Sequence, residues 1–98
     1  MKFKPGIKIA NVQPELLMGL MVANQILAYE FNADMVITAC TDGTHMPGSK
    51  HYIGQAVDIR ISNLKDPESV LSRLEFELDA LFDIVLEADH IHFEYDPH

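Results

Sequence analysis

The chain has 98 residues, of which 48% are hydrophobic, and this is enough for one domain with a single modest core. Fifteen acidic residues against seven basic ones give a formal net charge of −8, which argues against nucleic-acid binding and disfavours an anionic membrane. The one cysteine, Cys40, excludes an internal disulfide and a cysteine-based zinc cluster. No stretch has the composition of a long linker, so we expect a single domain over residues 1–98.

The amino-terminal segment does not have the pattern of a secretory signal. It carries Lys2 and Lys4 but no apolar segment before Pro5 and Gly6. The longest apolar stretch, residues 16–22, is much shorter than a bilayer-spanning helix. We therefore expect synthesis in the cytoplasm without a signal peptide, and no membrane partner.

Apolar residues at helical spacing predict two helices. The first begins at Pro14, where the missing N–H of proline costs nothing, and runs to about residue 31. We expect it to pack on the core, with its Met residues as core filler. The second begins with Asp66 as the N-cap and Pro67 at the first helical position, and its apolar face continues through residue 82.

Four strands are predicted around these helices. Residues 35–40 form a buried strand, a loop covers 41–50, and residues 56–62 form an alternating strand. Residues 84–87 and 90–95 form a hairpin, because only Ala88 and Asp89 lie between them. This order of elements predicts an α+β fold with a mainly antiparallel sheet and helices on one face.

Two of the strands carry a polar face that includes metal-binding side chains. One face bears Asp58 and Arg60, and the other bears His90, His92 and Glu94. If the two strands belong to one sheet with the helices behind it, these polar faces share a surface.

A histidine precedes the first of these strands, at position 51. Imidazole, carboxylate and imidazole form a workable ligand set for Zn²⁺, and three protein ligands leave a fourth position for water, as in catalytic zinc sites. A simpler explanation exists for each part, since a His-x-His pair is more often an exposed polar face and Asp58 can pair with Arg60 or a lysine. Spacing alone leaves both readings open.

Two motifs carry a resemblance to a known family. Residues 49–58, SKHYIGQAVD, fit S-x-H-x-x-G-x-A-x-D, which resembles the first zinc motif of the D-alanyl-D-alanine carboxypeptidases. That family includes vancomycin-resistance D,D-dipeptidases and the L-alanyl-D-glutamate endopeptidases of phage endolysins. Residues 51–59 also resemble H-Y-x-G-x-A-V-D-I of the hedgehog signalling domain, which shares the fold. Residues 89–94, DHIHFE, resemble the family's acid-x-x-H-F-E ending and the H-I-H of hedgehog.

The resemblance implies a hedgehog/D,D-peptidase-like fold and assigns roles by position. His51, Asp58 and His92 would be the ligands of one Zn²⁺. The family's catalytic acid lies three residues before the last histidine, at Asp89, whereas the comparable glutamate of hedgehog lies closer to Glu87. The sequence leaves both acids open as the general base.

Two further roles follow from the same resemblance. His90 corresponds to the non-ligand histidine of the H-x-H pair and would hold the water or a substrate oxygen. Many family members carry an arginine in the loop before the first motif, and residues 41–46 have none. Arg60 or His45 would have to replace it.

The function implied is that of a zinc peptidase, either a D,D-carboxypeptidase or an L-alanyl-D-glutamate-type endopeptidase. Its substrate would be a D-amino-acid-containing peptide of the bacterial cell wall (peptidoglycan), cleaved by a phage lysis enzyme after release or by a virion-associated peptidase. The alternative is a zinc-stabilised binding module of the same fold without catalysis. A metal-free structural domain is a third reading. The sequence predicts neither the bond cleaved nor the oligomeric state.

Overall fold

The computed structural model describes residues 1–41 and 54–97, which form a small α+β domain. The elements, in chain order, are β1 (Lys2–Phe3), α1 (Pro14–Glu30), β2 (Val36–Ala39), β3 (Ala56–Arg60), α2 (Pro67–Leu78), β4 (Phe82–Leu86) and β5 (His90–Tyr95). The strands make one mixed five-stranded sheet in the order β1-β2-β3-β5-β4. β1 pairs with β2 in parallel and the other three pairings are antiparallel. The α+β class predicted from the sequence is confirmed.

The core lies between the two helices and the apolar face of the sheet. Alternate residues of the strands are buried there, as Ile59, Ile84 and Phe93 show, and Leu20 and Leu74 come from the helices. The alternation in β3 and β5 that the sequence displays is therefore the alternation between core and opposite face. Both helices cover the same face of the sheet, which leaves the other face for polar side chains.

The local sequence explains the start of α2 and the turn between β4 and β5. The Asp66 carboxylate caps α2, accepting a hydrogen bond from the Ser69 backbone N–H at 3.2 Å, as expected for an N-cap. The β4–β5 hairpin closes around the predicted two-residue loop, where the Glu87 N–H donates to the His90 carbonyl at 2.8 Å.

Two boundaries differ from the prediction around residue 80. α2 ends at Leu78, not at residue 82, and β4 begins at Phe82, two residues earlier than predicted. Phe82 is buried against Phe93, with ring centroids 4.8 Å apart, so it belongs to the sheet side of the core. β1 was not predicted, because two residues are too few to show alternation.

The prediction that the Met residues of α1 fill the core is wrong. Met18 and Met21 are 69% and 65% exposed, whereas Met35, outside the helix, is fully buried. α1 meets the core through the stripe that contains Leu16 and Leu20. Its other side is also apolar and lies on the surface.

Gly19 lets α1 approach the sheet closely. A Cβ built at Gly19 would overlap the Phe82 ring. We predict that Gly19→Ala lowers the free energy of unfolding by about 1–3 kcal/mol through overpacking, although alanine is the better helix former. Urea denaturation measures this, and Gln25→Ala on the exposed side of α1 is the control, expected to change stability by less than about 0.5 kcal/mol. A Gly19→Ala protein as stable as the wild type contradicts the close approach.

Candidate metal centre

The pairing of β3 with β5 brings the two polar faces together. Asp58 lies directly opposite His92, and Arg60 lies directly opposite His90. Residues directly opposite in an antiparallel pair point to the same side of the sheet, and Glu94 follows on that side at the next alternate position of β5. The structure therefore places these five polar side chains on one surface, away from the helices.

Gly54, the glycine of the first motif, allows the chain to enter β3. Its φ is +73°, a left-handed conformation that side chains rarely adopt, and a Cβ there would overlap the Asn11 carbonyl oxygen. The Gly54 carbonyl accepts a hydrogen bond from the Gln13 N–H at 2.9 Å. The motif's glycine thus lets the segment before α1 pack against the start of the strand that carries Asp58.

Asp58 and His92 form the centre of the polar surface. Their side chains are 15% and 22% exposed, and Asp58 Oδ1 lies 3.4 Å from His92 Nδ1. In a tetrahedral zinc site with bonds of about 2.0–2.1 Å, neighbouring donor atoms are about 3.3–3.4 Å apart. The two atoms are at the separation at which both can bind one ion.

The outer nitrogen of His92 has a carboxylate partner. His92 Nε2 lies 3.0 Å from Glu94 Oε1, so its N–H donates to Glu94 while Nδ1 faces Asp58. A carboxylate on the outer nitrogen fixes the tautomer and orientation of a metal-binding histidine. Strand alternation predicts Glu94 on this face, but no role was predicted for it. Its spacing of two residues from His92 was the signal that could have revealed this contact.

His90 and Asp89 form a second hydrogen-bonded pair beside this centre. The His90 Nδ1–H donates to Asp89 Oδ1 at 2.6 Å, and His90 Nε2 lies 3.6 Å from Asp58 Oδ1. Asp89 is in the hairpin loop and its side chain is 89% exposed, so strand alternation does not point it away from His90. A carboxylate and an imidazole are therefore linked next to Asp58.

Glu87 and Arg60 lie at the same end of the surface. Val85 is opposite His92, so Glu87, two residues further along, falls on the same side of the sheet. Across residues 1–41 and 54–97, the Glu87 carboxylate and the Arg60 guanidinium make no hydrogen bond or ion pair. In that part of the chain the ion-pair contacts of Asp58 are to histidines, not to Arg60.

The third predicted ligand, His51, lies outside the described residues, as do His45 and the rest of the predicted loop from residue 42. Among the residues that the structure does describe, one group of three potential ligands has all donor atoms within 4.8 Å of one another, namely Asp83, Glu94 and Asp96. Its donors are all carboxylate oxygens, which suit Ca²⁺ or Mg²⁺ better than Zn²⁺, and exposed acidic groups are common without an ion.

The contacts of His92 change its pKa. The hydrogen bond with Asp58 is the largest cause of a rise in the His92 pKa to about 9, burial opposes the rise, and Glu94 adds to it. Without metal, His92 is therefore an imidazolium at neutral pH. A metal ion that binds Nδ1 must displace that proton.

We predict that the metal-free protein loses stability as the pH rises from about 6.5 to 9. The His92 pKa is higher in the folded state, so its stabilising contribution is complete below the unfolded pKa of 6.5 and disappears as the pH passes through about 9. The shift corresponds to at most about 3 kcal/mol. Urea denaturation with chelator at a series of pH values measures this. His92→Gln should flatten the profile in this window, and a wild-type profile as flat as that of the variant contradicts the prediction.

Comparison of the chain with protein-family models, with curated proteins and with solved structures finds no match. No helix in the described ranges has the length and apolar character needed to cross a bilayer.

Proposed function

We propose that the protein is a zinc-dependent peptidase that hydrolyses D-amino-acid-containing peptides of peptidoglycan. The observation that carries this is the 3.4 Å separation of Asp58 Oδ1 and His92 Nδ1 at the meeting of the two motif-bearing strands. The substrate class comes from the resemblance of residues 49–58 and 89–94 to the D-alanyl-D-alanine carboxypeptidases and L-alanyl-D-glutamate endopeptidases. Synthesis in the cytoplasm followed by release to the wall, or association with a virion, belongs to the same proposal.

Asp58, His92 and His51 would hold the Zn²⁺. One carboxylate and two imidazoles, with no cysteine, match the donor sets of catalytic zinc sites. When bound, zinc lowers the pKa of a bound water to about 7 and polarises the scissile carbonyl. Glu94 accepts the hydrogen bond of His92 Nε2 and would thereby keep Nδ1 directed at the ion.

The proton of the attacking water needs an acceptor beside the ligands. Asp89 accepts the hydrogen bond of His90 Nδ1–H, so in the neutral imidazole Nε2, which lies 3.6 Å from Asp58 Oδ1, is the nitrogen that can accept a proton. We assign proton transfer from the water to the leaving amine to this Asp89–His90 pair. Glu87, exposed on the same side of the sheet, is the alternative general base.

Arg60 replaces the missing loop arginine in this proposal. It lies opposite His90, and its guanidinium has no ion-pair partner in the described part of the chain. A cation at this edge can stabilise the negative charge that develops on the carbonyl oxygen. Arg60→Lys, which keeps the charge but not the planar donor geometry, should retain more activity than Arg60→Ala.

Digestion of a muropeptide mixture, followed by mass spectrometry with and without chelator, tests the proposed activity. We expect one class of peptide bond to be cleaved, with full loss of cleavage in chelator and recovery on adding Zn²⁺. Full activity in chelator, or no cleavage by protein that contains stoichiometric zinc, contradicts the proposal.

The second candidate function is a zinc-stabilised binding module without turnover. The absence of arginine from residues 41–46 favours it. In that case the zinc-loaded wild type binds muropeptides without cleaving them, and Asp89→Asn and Glu87→Gln leave both zinc content and binding unchanged.

A further inference from the structure

α1 and the amino-terminal segment expose a large apolar surface. Its members are large apolar side chains that are each at least 40% exposed: Phe3, Ile9, Leu17, Met18, Met21 and Val22. We call this set the α1 apolar surface. The surface is continuous. Phe3, Ile9 and Leu17 line one groove, and Leu17 lies one turn of α1 from Met21.

The extent of this surface is at the upper end of what a monomer leaves in water. At about 200 Å² for a fully exposed large side chain, the six residues present on the order of 600 Å² of apolar surface. A standard protein interface buries roughly 800 Å² on each partner, somewhat more than half of it apolar. The α1 apolar surface is the size of the apolar part of one such interface.

The absence of charge from the surface makes a second copy of the chain, which carries the same uncharged face, a suitable occupant. Residues 16–29 contain no charged side chain, and residues 1–29 hold three lysines against one glutamate. The remaining residues hold four basic side chains against fourteen acidic ones. Two copies that meet through residues 16–29 place no charged side chain of that stretch in the interface and keep their acidic parts apart.

The surface also has both a groove and projecting side chains that could fill one. The groove beside Leu17 has a volume of about 250 Å³ and a mainly apolar lining, to which Asn11 adds a polar group. Met18 and Met21 project next to it, and methionine adapts its shape to irregular gaps. Across a two-fold axis, the methionines of each copy can enter the groove of the other.

We propose that the α1 apolar surface is the interface of a symmetric homodimer. The helices cover one face of the sheet and the Asp58–His92 centre lies on the opposite face, so both centres stay open in the dimer.

Sedimentation velocity over a wide range of protein concentration tests this inference. We expect a species of twice the 11.0 kDa chain mass, and we expect Met18→Lys combined with Met21→Lys to raise the dimer dissociation constant at least 100-fold. Phe76→Lys is the control, because Phe76 is an even more exposed apolar side chain on α2, outside the surface. This control should dimerise like the wild type, and circular dichroism should show that all three proteins are folded.

Chemical crosslinking gives an independent measurement. A flexible bis-maleimide, which spans more than a disulfide does, should join two Met21→Cys chains covalently and should not join Phe76→Cys chains, since the native Cys40 is buried. A wild type that is monomeric throughout overturns the inference, and so does a dimer that survives the double substitution. A monomer that binds vesicles containing anionic lipid, with loss of binding in the Met18→Lys, Met21→Lys protein, assigns the surface to a membrane and also overturns it.

Discussion

Asp58→Asn or His92→Gln is expected to lower the affinity for Zn²⁺ by at least about 100-fold and to abolish peptide hydrolysis. Each substitution keeps the size of the side chain but removes one of the two donors that stand 3.4 Å apart. The two remaining ligands bind the ion too weakly to keep it from being released into water. Competition with a chromogenic chelator measures the affinity, and muropeptide digestion measures the turnover.

Asp83→Asn is the matched control for this prediction. Asp83 is an exposed acid on the same face of the sheet, opposite Glu94, but it belongs to the acidic group and not to the Asp58–His92 centre. Zinc affinity and turnover should stay within about threefold of the wild type, because the residue contacts neither predicted ligand. Loss of zinc in Asp83→Asn, with zinc retained in Asp58→Asn, would move the metal to the acidic group.

His90→Gln and Asp89→Asn are expected to lower kcat by about 10²–10⁴-fold while zinc content stays at one per chain. His90 supplies the proton acceptor, and Asp89 fixes the tautomer that leaves Nε2 free through the 2.6 Å hydrogen bond to Nδ1. The effects should not add: the double variant should resemble the more impaired single variant, because the residues act as one unit. Single-turnover kinetics on a purified muropeptide measure this.

Glu87→Gln discriminates between the two candidate acids. Its carboxylate lies on the same side of the sheet but makes no hydrogen bond to the described residues, so this variant should keep most of the wild-type kcat. If Glu87→Gln loses turnover while Asp89→Asn keeps it, Glu87 is the general base and the role of the Asp89–His90 pair is wrong.

Alternation in single strands was enough to predict the polar face of the sheet. Asp58 and Arg60 on one strand, and His90 and His92 on the other, are recognisable from a period of two residues. The structure adds the register, which sets Asp58 opposite His92 and not opposite His90. Register depends on contacts between residues that are 30 or more positions apart in sequence, so neither strand encodes it alone.

The predicted end of α2 and start of β4 were wrong because the spacing of apolar residues there fits both a helix and a strand. Leu78 and Leu81 continue the helical spacing of α2, while Phe82 and Ile84 also begin a strand alternation. Phe82 packs against Phe93 in the space that Gly19 leaves, and this contact places residue 82 in the strand. Such a tertiary contact overrides local spacing and is not visible in the segment itself.

The exposed methionines illustrate a second limit. α1 is apolar on nearly every side between residues 16 and 29, so its periodicity does not show which side meets the core. Small residues at the sheet contact, such as Gly19 and Ala23, are the better guide in retrospect, because they lie on the buried side. Met18 and Met21 occupy the opposite side, which the α+β fold leaves uncovered.

Anomalous diffraction at the zinc edge, from crystals of the zinc-loaded protein, tests the metal assignment most directly. We predict one strong peak per chain within about 2.0–2.2 Å of an Asp58 carboxylate oxygen and of His92 Nδ1. A peak among Asp83, Glu94 and Asp96 with none at the Asp58–His92 centre, or no peak at all in protein that retains zinc in solution, would contradict the assignment.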